Sequence, residues 1–122
     1  MQRRPAWYKS RMSPSVVVAL CTCPDRGTAE RLAEALVGEQ LCACVNLVGP
    51  IQSIYRWQGK VERSDEVLCV IKTAADRVAA LRDRLPSLHP YEVPELVVLP
   101  IEDGLPSYLD WVVASTRSTT PS

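Results

Sequence analysis

Three short stretches of this chain are apolar on both faces: residues 15–22 (SVVVALCT), 67–71 (VLCVI) and 96–101 (LVVLPI). A half-exposed strand alternates apolar with polar residues, whereas runs of this kind need cover above and below the sheet. The chain must therefore build a sheet whose central strands are shielded on two sides. What lies between the runs decides how.

After the first run, Pro24-Asp25-Arg26-Gly27 interrupts the strand and Thr28 can cap a helix. Ala29, Leu32, Ala33, Leu36 and Val37 then fall on one helical stripe, with Glu30, Arg31, Glu34 and Glu39 on the wet side. Residues 41–48 return to β character, Gly49-Pro50 interrupts them, and 51–58 alternate, with Ile51, Ser53, Tyr55 and Trp57 on one face. Gln58-Gly59-Lys60 reads as a tight turn into a strand over 61–73. The result is a long hairpin with a polar tip and a core base. Thr73 and Asp76 have capping-box spacing before Val78, Leu81, Leu85 and Leu88, and Pro86 and Pro90 are expected to close that second helix. Pro106 opens a short C-terminal helix carrying Tyr108, Leu109, Val112 and Val113.

The order is βαββαβ plus a terminal helix, an α+β ferredoxin-like sandwich with both main helices on one face of an antiparallel sheet. Two helices leave the other face bare. The terminal helix can cover part of it, and a second copy of the chain is the natural cover for the rest. Residues 14–117 are expected to form this one domain, which at such a length can bury a core unaided. Residues 1–13, with Arg3, Arg4, Lys9 and Arg11 and no acid, are expected to be a disordered or extension tail, and 118–122 a polar tail.

Lys plus Arg equals Asp plus Glu at 14 each, so no charge imbalance draws the chain to nucleic acid or to an anionic membrane. No run approaches the ~20 apolar residues of a spanning helix, and no secretory h-region follows the basic start. The five cysteines are odd in number and lack C-x-x-C spacing, which suits reduced thiols and a cytoplasmic setting. Among them Cys42, Cys44 and Cys69 are expected to be the most buried.

Four strings stand out: CTCPD (21–25), CACVN (42–46), SIYRWQGK (53–60) and HPYEVPEL (89–96). With Lys72-Thr73 and Tyr108-Leu109-Asp110-Trp111, in this order over 15–117, they closely resemble the CutA family of divalent-cation tolerance proteins. The resemblance implies a homotrimer of ferredoxin-like subunits joined at edge strands, linked to tolerance of copper and other divalent metals. It also implies an architecture similar to the trimeric PII signalling proteins. A hairpin longer than its own sheet can pair leaves an unpaired edge with Tyr55 and Trp57 beside it, and intersubunit pairing would remove that liability. Tyr55, Trp57 and Tyr91 are accordingly the expected interface residues; the alternative is that Tyr55 and Trp57 cover their own subunit's core.

His89 is the only histidine. Copper or zinc favours imidazole combined with thiolate, which makes Cys21, His89 and Glu95 the candidate ligand set. Some members of the family carry a second histidine immediately before the His-Pro-Tyr motif, and Leu88 stands there in this chain. Alternatively His89 fixes the His-Pro-Tyr turn through hydrogen bonds. Cys21 and Cys23 share one side of a strand, as do Cys42 and Cys44, so each pair could be a dithiol or two small core residues. Glu92 and Glu95 have no G-x-S-x-G, H-E-x-x-H or phosphate-cradling loop beside them, so neither catalysis nor an organic cofactor is expected. The favoured reading is a non-enzymatic trimer that binds a divalent metal such as copper; the alternative is a PII-like signalling or scaffold trimer with a small molecule or protein partner in its intersubunit clefts.

Overall fold

A computed structural model describes residues 15–117; the two expected tails, 1–13 and 118–122, lie outside the described residues. The elements are β1 (Val16–Cys23), α1 (Arg26–Gly38), β2 (Cys44–Trp57), β3 (Lys60–Ala74), α2 (Val78–Leu88), β4 (Val97–Pro100) and α3 (Pro106–Ser115), with a single 3₁₀ turn at Ala75–Arg77 before α2. All strand pairings are antiparallel and the sheet order is β2-β3-β1-β4. This is the α+β ferredoxin-like arrangement that the element order implies.

Strand parity sorts the sheet into two faces. Ala19, Cys21 and Cys23 of β1 and Val67, Cys69 and Ile71 of β3 meet Ala29, Leu32 and Leu36 of α1 and Leu81 and Leu85 of α2 in the main core. On the opposite face α3 covers one end only, where Leu109, Val112 and Val113 pack on Val16, Ala43 and Ala74. The remainder of that face is apolar and partly open: Val18, Leu20, Leu68 and Val70 are half-buried, and Val48, Val97 and Leu99 are 46–50% exposed. One subunit thus leaves uncovered the side that its sequence requires to be shielded.

Several local devices differ from expectation. Asp25, not Thr28, caps α1: its carboxylate accepts the Thr28 N–H at 2.8 Å. The helix closes in a Schellman motif, with Leu41 N–H bonded to the Leu36 carbonyl at 2.9 Å and Gln40 N–H to Val37 at 3.0 Å. Residues 41–43 therefore serve as connection, and β2 begins at Cys44 rather than at 41. The Thr73 hydroxyl donates to the Leu41 carbonyl at 2.8 Å instead of capping α2, which has no side-chain cap. Pro86 lies inside α2 rather than closing it.

Beyond Val67, β3 leaves β1 and pairs with β2 alone, so residues 51–57 and 60–66 form a two-stranded arm. Its turn is a two-residue loop with positive φ at Gln58 (51°) and Gly59 (81°), the backbone that matches strand twist in a hairpin. At its root the register slips between Val48 and Ile51 across a cis Gly49–Pro50 bond. Glycine suits this root, because a Cβ at position 49 would crowd β3 at 3.2 Å from the Glu66 carbonyl and from Val67 Cα.

Candidate functional site

β4 pairs with β1 only as far as Leu20, yet the even-numbered carbonyls of β1 all point toward that edge. The Thr22 carbonyl, two residues on, has no strand donor. His89 supplies one: its Nε2–H donates to Thr22 O at 2.7 Å, while its Nδ1 accepts the Tyr91 N–H at 3.1 Å. The ring is thereby held as the neutral Nε2–H tautomer, buried at 7% exposure. Of the two sequence readings of His89, the hydrogen-bonded turn is realised in full.

The same ring borders two thiols. Cys23 Sγ lies 3.8 Å from His89 Nε2, and the donor atoms of Cys21, Cys23 and His89 all lie within 4.8 Å of one another. Cys69 extends the group, with its Sγ 4.0 Å from that of Cys23. Cys23 and Cys69 resist ionisation. Cys23 is pushed up to about 12, first by its hydrogen bond to Cys21 and further by burial. The Cys69 thiol is raised by its bond to Cys23 and then by burial. Burial pushes Cys42, which lies elsewhere in the core, up to about 12. Two thiols and an imidazole are a donor set suited to a soft or borderline ion, and tetrahedral ligation at about 2.0–2.3 Å would draw donors to about 3.3–3.8 Å of one another, so the widest spacing here would have to close by about 1 Å. Loading would expel the thiol protons and detach Nε2 from Thr22.

Of the sequence candidates, the structure brings Cys21 and His89 together and adds Cys23. The i, i+2 parity of the two cysteines already contained that third donor. Glu95 is exposed and lines a cleft that Thr22 also borders, outside the three-residue group. Cys44, expected to be deeply buried, is only half-buried, because it pairs with Lys72 on the open face of the sheet.

That cleft has a volume of about 610 Å³ and lies between the arm and residues 91–95. Tyr55, Trp57 and Glu62 enter from the arm, and Tyr91, Glu92 and Glu95 from the loop. The Tyr91 hydroxyl donates to Glu66 Oε2 at 2.6 Å, tying the loop to β3. Burial and then this bond raise the Tyr91 pKa, so the phenol stays a donor. Tyr55 is bonded across the arm to Ser64 at 2.6 Å, and both Tyr55 and Trp57 remain about 40% exposed.

Comparison with known proteins matches residues 17–115 to the family model described as CutA1 divalent ion tolerance protein. The chain is 46% identical over 121 residues to Protein CutA of Mus musculus, spanning 99% of this chain and 68% of that one. It is 46% identical over 104 residues to the divalent-cation tolerance protein CutA of Salmonella newport, covering 85% and 90% respectively. Among solved structures, the divalent cation tolerance protein of Thermus thermophilus superposes with a TM-score of 0.81 at 46% identity, covering 84% of this chain and 99% of that one. A protein of Archaeoglobus fulgidus described as a periplasmic divalent cation tolerance protein superposes equally well, with a TM-score of 0.81 at 35% identity over 84% of this chain and 99% of that one.

Proposed function

The chain belongs to the CutA1 divalent ion tolerance family, and on that footing we propose that it is a non-enzymatic, cytoplasmic homotrimer that binds a divalent metal, copper foremost, in cation tolerance. The observation carrying the metal reading is the convergence of Cys21, Cys23 and His89 within 4.8 Å. Cys21 and His89 form the centre of the proposed ligand set. Cys23 is its third donor, and Glu95 contributes a solvent-facing carboxylate in the cleft that Thr22 shares. Affinity is modest, since His89 must surrender its bond to Thr22 and both thiols their protons. When bound, the ion supplies charge and a soft acceptor; the chain's own groups hold it and exclude water.

Two features support the trimer. The sheet face beyond α3 keeps Val48, Val97 and Leu99 half exposed, and the arm presents unpaired strand edges on both sides. Tyr55 and Trp57 on the arm and Tyr91 beside it are the proposed contact residues. The absence among the described residues of a helix long and apolar enough to cross a membrane accords with this reading without deciding the compartment.

Titration with Cu(II) and Zn(II) tests the site. Saturable uptake of one ion per subunit should weaken by about tenfold or more in Cys21→Ser and in Cys23→Ser, a loss of about 1.4 kcal/mol or more. Unchanged uptake in both would remove this cluster from the account. Light scattering tests the assembly, and a mass near that of one chain defeats it. Fractionation of cells tests the compartment: recovery with the periplasmic or secreted fraction overturns the cytoplasmic assignment.

A further inference from the structure

Divalent ions give the family its description, yet the donors of the buried cluster suit another kind of ion. Two of the three are thiols, the third is an imidazole, and the carboxylate of Glu95 is exposed and lies outside the group. Cys21 and Cys23 are fully buried within the subunit's own core, and His89 is 7% exposed. Zinc takes four ligands, and Cu(II) prefers a square of nitrogen and oxygen donors. The cluster meets neither requirement. The oxygen bonded to its ring, the Thr22 carbonyl, is not among the Cys, His and carboxylate ligands that zinc takes.

Geometry favours a lower coordination number. Three donors about 2.0–2.3 Å from an ion lying in their own plane stand about 3.8–4.0 Å apart, against about 3.3–3.8 Å in a tetrahedron. Cys23 Sγ and His89 Nε2 are already 3.8 Å apart, so a flat centre asks less movement of β1 than a tetrahedral one. Cu(I) is content with so few ligands: its filled d shell imposes no geometry, and its single charge is satisfied by two or three soft donors. Two thiolates and a monovalent ion leave one negative charge in the core. Cys69 helps to disperse it. Its thiol lies 4.0 Å from Cys23 Sγ, and once Cys23 has lost its proton only Cys69 can be the donor in that contact.

We propose that Cys21, Cys23 and His89 hold copper as Cu(I) in a three-coordinate centre, and that the cluster discriminates against divalent ions. This inference rests on the metal reading above and narrows it to a soft monovalent ion, so Ag(I), which resembles Cu(I) without its redox chemistry, should enter the same site.

Competition titrations under anaerobic conditions test it, on the full chain carrying Cys44→Ser so that the half-buried thiol of the open face takes no metal. Bathocuproine disulfonate, a coloured Cu(I) chelator, reads Cu(I) affinity, and a coloured zinc chelator reads Zn(II) affinity. One Cu(I) per subunit should bind about a thousandfold or more tighter than Zn(II), and Ag(I) should displace it. Adding Cys21→Ser or Cys23→Ser should weaken Cu(I) by about tenfold or more. X-ray absorption at the copper edge needs no variant, and should report monovalent copper with three ligands, sulfur and nitrogen. Zn(II) binding as tightly as Cu(I), or copper with four or more ligands, overturns the proposal while leaving a divalent site at the same cluster standing. Uptake of both ions unchanged by the two serine substitutions overturns this proposal and the metal reading together.

Discussion

Replacing His89 probes the point where fold and site coincide. His89→Ala takes a partner from two backbone groups at once, leaving the Thr22 carbonyl only the long 3.8 Å contact from the Cys21 thiol and the Tyr91 N–H without its acceptor, and opens a space beside Cys23. Each group so deprived costs about 1–3 kcal/mol, so a total loss of about 2–6 kcal/mol is expected. His89→Asn separates the two bonds. An Asn carbonyl oxygen readily accepts the N–H two residues on, which keeps the Tyr91 bond, but the side chain is too short to reach Thr22. Its cost should be about half that of the alanine variant. Urea unfolding of the three proteins at one fixed protomer concentration reads these differences directly. The reasoning is refuted if His89→Ala lies within about 0.5 kcal/mol of the parent, or if the asparagine variant is as damaging as the alanine one.

Other outcomes follow from single features. Thiol titration of the native protein should show one accessible group, Cys44, abolished by Cys44→Ser; the buried thiols Cys21, Cys23, Cys42 and Cys69 should react only on unfolding, and a second fast thiol would contradict the packing. Asp25 is held below its ordinary value of 3.8 by the backbone N–H of Thr28 and then by its side chain. Its folded-state pKa is depressed, so its stabilisation is present above that ordinary value and disappears as pH falls through the lowered one; Asp25→Asn should flatten that part of an acid-unfolding curve. Leu85→Ala removes a fully buried contact between α2 and the sheet and should cost about 2–5 kcal/mol by urea unfolding. The Arg84–Glu39 pair at 2.9 Å lies on the surface, so Arg84→Ala should leave the unfolding midpoint nearly unchanged at physiological salt.

Periodicity carried most of the fold. The α1 stripe, the long hairpin and the first two apolar runs are where spacing puts them, because side chains that must face a core leave a period in the sequence; the third run, expected to be a buried strand, instead forms β4 at the sheet edge, exposed along its length in one subunit. Caps and ends were less legible. Thr28 is the cap that the sequence suggests, but the helix starts two residues earlier, at Arg26, so the Thr28 N–H falls to the carboxylate of Asp25 within the breaker itself. Pro86 stays within α2 because, in the last turn, its missing N–H forfeits only one bond. For the site, parity placed Cys21 and Cys23 side by side, but nothing in the sequence says that β4 stops short of Thr22 and leaves a carbonyl for His89 to satisfy. That fact depends on strand lengths. Glu95 illustrates the same limit: three residues of loop geometry send it to the cleft rather than to the thiols. Cys44 is half-buried rather than deeply buried because it lies on the face opposite the main core, which α3 covers at one end only, and nothing in the spacing of the cysteines sets that cover.

The arm has a consequence for how such a chain can be shortened or lengthened. Its faces alternate with a period of two, and Tyr55 lies opposite Glu62 as Ser53 lies opposite Ser64. Deleting one residue from each strand, Ile54 with its partner Arg63, would preserve the pairing and the Gln58-Gly59 turn while rotating the whole tip through half a turn. Tyr55, Trp57 and Glu62 would then look away from residues 91–95, although no bond at the root had changed. Arm length is thus quantised: only even steps on each strand keep the tip in the same sense, and an odd step turns the hairpin inside out.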